Sequence, residues 1–410
     1  MRLDGVWWLE DRLRQQLRPV PFEVPPGVSR IEVRLDYDRS AGAVLDLGCA
    51  GPEGFRGWSG GARQEFAIGA RQSTPGYLAG EILPGVWHVW LGLHRVPPEG
   101  VRYSLEITFS DQADPADTAA RQLRHHHVRA LERPPARELP AVDGMRWYAG
   151  DLHAHTEHSD GTLTIGALAD LAAETGLDFL AVTDHNTISH YPFLERASGT
   201  SGVTLIPGQE VTTDLGHANV WGSKEWIDFR RPASQWMKQA EKAGALFSVN
   251  HPLAGDCAWR HQLTTQPSIA EIWHWSWFDR TWGWPLAWMK RHPAAIVPVG
   301  GSDFHEPGGT PASLGAPITW VLAEECSSPA ILAGIAAGRT AISADRTGPL
   351  VLRCGDEITT LDADGLILVR PDETRVVVRA DTAGRQSFPA RQSGMYRLET
   401  WRNEVVALCA

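Results

Sequence analysis

Six apolar runs in this chain each end in histidine, aspartate or glutamate: Asp151-Leu-His153-Ala-His155, Ser159-Asp160, Thr183-Asp184-His185, Gln209-Glu210, Asn250-His251 and Ser302-Asp303-Phe-His305. A further histidine, His217, follows shortly after Glu210. A buried carboxylate such as Glu210 or Asp303 costs several kcal/mol unless a partner or a metal compensates it. Imidazole nitrogen and carboxylate oxygen suit zinc, manganese and iron, and so many groups exceed what one four- to six-coordinate ion can use. The pattern points to a multinuclear metal site.

The periodicity around these runs indicates where they sit. From Tyr148 onward, apolar strands alternate with amphipathic helices. Strands are expected over Phe179–His185, Val203–Val211, Ala245–Asn250, Ile269–Trp273, Ala295–Gly300 and Ile318–Leu322. Helices are expected from Ile165, capped by Thr164 and stopped at Gly176, over Pro232–Ala243, and from Ser328-Pro329. Repeated βα units imply a parallel sheet or barrel, and the ligand candidates then share the strands' C-terminal edge, where loops converge on a site. His153 and His155, two apart on a strand, leave the same face.

Upstream, Ile31, Val33, Leu35 and Tyr37 alternate with charged residues, as do Val101, Tyr103, Leu105, Ile107 and Phe109; such period-two faces predict a β-sandwich accessory domain over residues 1–110. Residues 111–147 read as a polar linker with one short helix around Arg124-His125-His126-His127, residues 148–345 as the α/β barrel, and residues 346–410 as a β-rich closing segment with strands near Leu366–Val369, Arg375–Ala380 and Met395–Ala407.

Composition excludes several function classes. A formal charge of −11 argues against stable nucleic-acid binding, which needs clustered Lys and Arg. The five cysteines are an odd number without a C-x-x-C pair, which fits reduced thiols and a cytoplasmic location. Neither a secretory signal nor a membrane-spanning run is present, so no membrane partner is expected. Gly57-Trp58-Ser59-Gly60-Gly61 satisfies the G-x-S-x-G spacing but shows neither the preceding strand nor the following helix of a nucleophile elbow, so Ser59 reads as a turn residue.

Together, Asp151-Leu-His-Ala-His-Thr, His158-Ser-Asp160-Gly161, Thr183-Asp-His-Asn, Pro207-Gly-Gln-Glu210, Asn250-His251-Pro and Gly301-Ser-Asp303-Phe-His305 resemble the polymerase and histidinol phosphatase (PHP) domain superfamily. The ending Gly338-Arg-Thr-Ala-Ile-Ser is similar to the CehA/McbA metallohydrolase branch. The resemblance implies a distorted (β/α)7 PHP barrel holding two or three divalent ions (Mn, Zn or Fe). By it, His153, His155, Glu210 and Asp303 hold one ion, Asp160, His185 and His305 a second, and His217, His251 and a bridging Glu210 a third. Asp184 then orients a ligand imidazole. Water bridged by two cations falls in pKa from about 15.7 toward ~7, so a metal-bound hydroxide serves as nucleophile.

The ester stays open at this point. A phosphoesterase acting on a small organic phosphate is the first reading, a carboxyl- or carbamate-ester hydrolase the second, and a ligand-binding protein with structural metals the third. Arg260 and His261 are candidate substrate contacts, though a loop arginine facing water accounts for the same residue. Of 18 tryptophans, five lie between Trp273 and Trp284, as an apolar wall for an aromatic leaving group or as ordinary core.

Overall fold

The structure is a computed structural model that describes residues 1–111, 132–292, 295–309 and 312–410. The expected linker helix and the triple histidine lie outside the described residues. By internal contacts the chain divides into two units: Met1–Arg124 with Thr156–Ile165 and Asp184–Phe193, and the remainder.

In the first unit the strands are β1 (Arg2–Trp7), β2 (Leu17–Val24), β3 (Arg30–Tyr37), β4 (Val44–Gly51), β5 (Gly54–Gly60), β6 (Glu65–Gly69), β7 (Gly85–Arg95) and β8 (Val101–Ser110). Among the described residues they form two four-stranded antiparallel sheets, ordered β1-β8-β3-β6 and β2-β7-β4-β5. Alternation decides which face is covered: Ile31, Val33 and Leu35 are buried while Glu32, Arg34 and Asp36 are exposed. Side chains from both sheets, including Leu35, Ile107, Leu47 and Trp87, belong to one apolar core. Ser59 corrects the sequence expectation. It lies within β5, buried, with its hydroxyl against the Leu47 carbonyl and the Tyr77 hydroxyl, so it is a strand residue and not a turn residue.

The second unit begins with β9 (Arg146–Ala154), β10 (Phe179–Val182), β11 (Thr204–Thr213), β12 (Gly216–Trp221), β13 (Leu246–Val249), β14 (Ile269–His274) and β15 (Val297–Gly301), hydrogen-bonded in that order. After β15, an isolated parallel bridge joins Ala154 to Phe304, and the His155 N–H donates to the Phe304 carbonyl at 2.8 Å, so the segment beyond the seventh strand returns to the first. Helices intervene at Ile165–Thr175, Tyr191–Ser201, Ala233–Lys242 and Trp284–Lys290. Gly176 ends the first of them at φ 82°, and the Leu177 N–H reaches the Ala172 carbonyl, the six-to-one bond of a Schellman cap. Helix Ala233–Lys242 buries Ala233, Trp236 and Ala240 at helical spacing.

The parallel expectation needs two corrections: the expected strand at Ile318–Leu322 pairs antiparallel with β9, and a further strand breaks the parallel order. β12 pairs antiparallel with both β11 and β13. Only Asp214 and Leu215 separate β11 from β12, and so short a connection closes a hairpin and never a crossover.

Beyond β15, strands β16 (Ile318–Ala323) and β17 (Thr340–Ser343) flank helix Ser328–Ala336, whose N-cap Ser327 accepts from the Ala330 N–H. The C-terminal strands are β18 (Leu350–Cys354), β19 (Glu357–Leu361), β20 (Ile367–Val369), β21 (Arg375–Val377), β22 (Arg385–Pro389), β23 (Tyr396–Glu399) and β24 (Val405–Cys409). Strand β24 pairs with β17, and β23, β20 and β21 follow, so the sheet that starts at β15 runs on into the C-terminal segment. The run Met395–Ala407 splits into two strands at a turn containing Asn403 at φ 65°. Among the described residues, no helix is long and apolar enough to cross a membrane.

Candidate metal centre

Side chains on or just after strands β9, β11, β12, β13 and β15 form a common set. His153 lies at the end of β9 with His155 just beyond it, Glu210 on β11, His217 on β12, His251 two residues after β13, and Asp303 two residues after β15. His153 Nε2 lies 3.2 Å from Glu210 Oε1 and 3.2 Å from Asp303 Oδ1. His155 Nε2 is 2.9 Å from Asp303 Oδ1 and 3.6 Å from Glu210 Oε2. The same Glu210 Oε1 also lies 3.2 Å from His217 Nδ1 and 3.4 Å from His251 Nε2. Glu210 is fully buried and belongs to two groups of close donors, one with His153, His155 and Asp303 and one with His217 and His251.

These separations decide what the donors are arranged for. His153 Nε2 is buried without a hydrogen-bond partner despite two carboxylates beside it. Donor atoms about 2.1 Å from one ion stand about 3.0–3.4 Å from each other, because octahedral and tetrahedral angles fix the edge of the polyhedron. The donor set and its spacing therefore fit a divalent cation. Backbone strain collects at the same place: His251 at φ 26° and Asp303 at φ 54° are both in the left-handed region that non-glycine residues rarely enter.

Electrostatics reinforce the grouping. Burial alone would depress His153, but the carboxylates of Glu210, Glu271 and Asp303 raise its pKa well above the ordinary value. Burial alone would raise Asp303, but the charge of His153 and hydrogen bonds from His155 and His274 hold its carboxyl well below the usual range.

Two members escaped the sequence reading. Glu271 on β14 is buried, accepts from His153 Nδ1 at 3.0 Å, and accepts the His251 backbone N–H at 3.0 Å. His274, at the end of the same strand, places Nε2 at 3.3 Å from Asp303 Oδ2 and Nδ1 at 2.7 Å from the Ser276 hydroxyl. The signal was available: Ile269–His274 is itself an apolar run ending in histidine, overlooked among its tryptophans. Asp151 and Gln209 instead brace the frame. Asp151 accepts three backbone N–H groups, from His153, Ser302 and Gly315, and Gln209 clasps the Ile227 backbone from both sides.

Other candidates are placed as follows. His305 stacks on His155 with ring centroids 4.3 Å apart. In the first unit, Asp160 and His185 face each other at 3.6 Å. Asp184, expected to orient a ligand imidazole, accepts from the Thr156 N–H and hydroxyl and from the Ser159 hydroxyl, and lies 3.1 Å from His190 Nδ1; it thereby orders the turn leading to Asp160. Arg260 directs its guanidinium to the Asp214 carbonyl, and His261 bonds Thr213 at 2.8 Å while packing on Trp236 and Trp259, so both serve the β11–β12 hairpin.

Residues 151–255 match the family model of the PHP domain. The match contains every candidate ligand from His153 to His251 and stops short of Asp303 and His305. The 5'-3' exoribonuclease Rnm of Salmonella typhimurium is 40% identical over 91 residues, 20% of this chain and 29% of that protein. Its Escherichia coli counterpart is 40% identical over 77 residues, 18% of this chain and 24% of that protein. The chain thus spans less than a third of the length of these relatives. Among solved structures, a two-domain protein of Bacteroides vulgatus containing a predicted PHP-like metal-dependent phosphoesterase is similar at a TM-score of 0.45 and 16% identity, over 68% of this chain and 99% of that one.

Proposed function

We propose that this chain is a metal-dependent phosphoesterase acting on a small organic phosphate ester. The observation that carries the reading is His153 Nε2, buried without a hydrogen-bond partner between Glu210 and Asp303. His153, His155, Glu210 and Asp303 would hold one divalent ion and Glu210, His217 and His251 another. Asp160, His185 and His305 are assigned to a further ion on the PHP resemblance alone. Manganese, zinc and iron all suit this mixed nitrogen and oxygen shell. Such ions, when bound, lower the pKa of water and neutralise charge on the attacked ester. The chain's own contribution is orientation: Glu271 fixes the His153 ring, and the Asn250 amide donates to Glu210 Oε1 at 2.8 Å.

The same proposal takes β9–β15 as a distorted (β/α)7 barrel of the CehA/McbA type, the N-terminal sheets as a β-sandwich, and the cytoplasm as the location. A carboxyl- or carbamate-ester substrate is the second reading, favoured by the tryptophan-rich cavity at His274, where none of the described lining residues is lysine or arginine. RNA enters as a third substrate to test because of the relatives' names, and the charge of −11 argues against it.

The test is elemental analysis of the purified chain with turnover of aryl and alkyl phosphomonoesters, phosphodiesters, carbamates and a short RNA. Metal bound in stoichiometric amount, and phosphate esters turned over fastest, are expected. No turnover of any phosphate ester by manganese- or zinc-loaded protein sinks the proposal. His153→Ala and Asp303→Ala should lose both metal and activity.

A further inference from the structure

A cavity of about 330 Å³ opens beside the cluster, with His251, Glu271 and His274 at its inner end. Its walls come mainly from the loop after β14: Trp275, Trp277, Phe278 and Trp282, with Trp284 opening the next helix. We infer that this cavity is a subsite for a neutral, planar aromatic group of the substrate. The inference rests on the ester-hydrolase reading and specifies which ester is taken.

Three observations argue for that occupant. First, the lining is aromatic in the places that remain accessible: Phe278 is 82% exposed, Trp284 63% and Trp282 51%, although each would remove a large apolar area from water if covered. Second, among the described residues lining the cavity none is lysine or arginine, while Glu271 and Asp279 contribute carboxylates. A phosphate or sugar-phosphate chain would meet no countercharge there. Arg280, the nearest cation in sequence, is turned away to Glu404 and the Val405 carbonyl. Third, the loop is held ready. Trp277 donates its indole N–H to the Trp282 carbonyl at 2.8 Å, Asp279 caps the Thr281 N–H, and the rings of Trp282 and Trp284 lie 4.8 Å apart.

Size narrows the class further. An apolar cavity of about 150 Å³ accepts benzene, so this one admits one or two rings. The reacting ester oxygen would then lie toward His274 and His251, with the ring between the tryptophans. Hydrolysis adds water across the ester bond: the water oxygen joins phosphorus, the bond from phosphorus to the aryl oxygen breaks, and that oxygen leaves with a proton as a phenol.

Two measurements on the full chain separate this inference from the reading beneath it. Calorimetric titration of metal-loaded protein with phenylphosphonate and methylphosphonate should give a phenyl preference of about tenfold or more, which Trp282→Ala/Trp284→Ala should reduce about tenfold; both side chains are half exposed or more, so the fold tolerates their loss. Equilibrium dialysis of chelator-treated protein with 4-nitrophenol should detect binding that the same double variant weakens. If phosphate esters are hydrolysed while phenyl and methyl compounds bind alike and 4-nitrophenol does not bind, the aromatic subsite is overturned and the hydrolase stands. If 4-nitrophenol binds and the variant weakens it while no ester is hydrolysed, the subsite stands and the hydrolase reading falls.

Discussion

Glu271 joins two ligand candidates that β9 and β13 deliver separately. One oxygen fixes the tautomer of His153 so that Nε2 faces Glu210 and Asp303, and the other accepts the N–H of His251, whose backbone sits in the left-handed region. A carboxylate behind a ligand imidazole sharpens both its direction and its basicity. Glu271→Gln keeps the shape and removes the charge. We predict metal affinity about 10–100-fold weaker by competition with a chromophoric chelator, with an unaltered circular dichroism spectrum. Unchanged affinity would leave Glu271 a merely structural residue. Gly301 bears on the same two side chains, because a Cβ there would collide with both His153 and Glu271. Gly301→Ala is expected to lower metal content and melting temperature together, where Gly338→Ala would cost stability through its φ of 71° without touching the metal.

At the scale of elements, most strands carrying the candidate ligands were legible because their ends combine two signals, an apolar run and a polar terminus. Ile269–His274 carries both signals and its strand was expected, yet Glu271 and His274 went unnamed, since Trp273 and the tryptophans after it read as core. β12 was not named for a different reason: His217 and Asn219 do alternate with Ala218 and Val220, but only over a few residues, just two residues beyond β11. Its hairpin is what brings His217 to Glu210. The C-terminal strands were blurred by charges that pair only in three dimensions. Arg397, buried on β23, binds Glu399 at 2.7 Å and Glu373 at 2.6 Å. Removing it in Arg397→Met leaves Glu399 buried with the half-exposed Arg375 as partner, and a loss of about 3 kcal/mol is expected from denaturant midpoints. The pH dependence has a definite sign. Hydrogen bonding from Arg397, with Lys290 assisting, holds Glu373 at about 2 against an ordinary 4.5. A carboxyl depressed on folding stabilises fully above its unfolded value and loses that contribution as pH falls from 4.5 toward 2. The wild type should therefore weaken more than Arg397→Met over that window; equal slopes would refute the pairing. Because Glu373 is 45% exposed, solvent screening makes its share the smaller one.

For the whole molecule, the cluster is a liability that bound ions would convert into stability. Glu210, Glu271 and Asp303 belong to the same cluster, and among the described residues grouped with them the others are histidines. A cation that binds the native arrangement and not the unfolded chain adds RT ln(1 + [L]/Kd), about 2.7 kcal/mol at a concentration of 100 Kd. The candidate ligands come from segments spread between His153 and His305, and unfolding disperses them, so an ion held by them would favour the native state. Calorimetric scans should therefore show a melting transition that falls on chelation and rises again with added manganese or zinc in a concentration-dependent way. Glu210→Ala should remove that dependence, because it takes away the carboxylate that both groups of donors share, whereas Trp401→Ala, at a residue 77% exposed on the β23–β24 turn, should keep it. A transition indifferent to chelation in the wild type, in protein shown to carry metal beforehand, would mean that the ions sit elsewhere than among His153, Glu210 and Asp303.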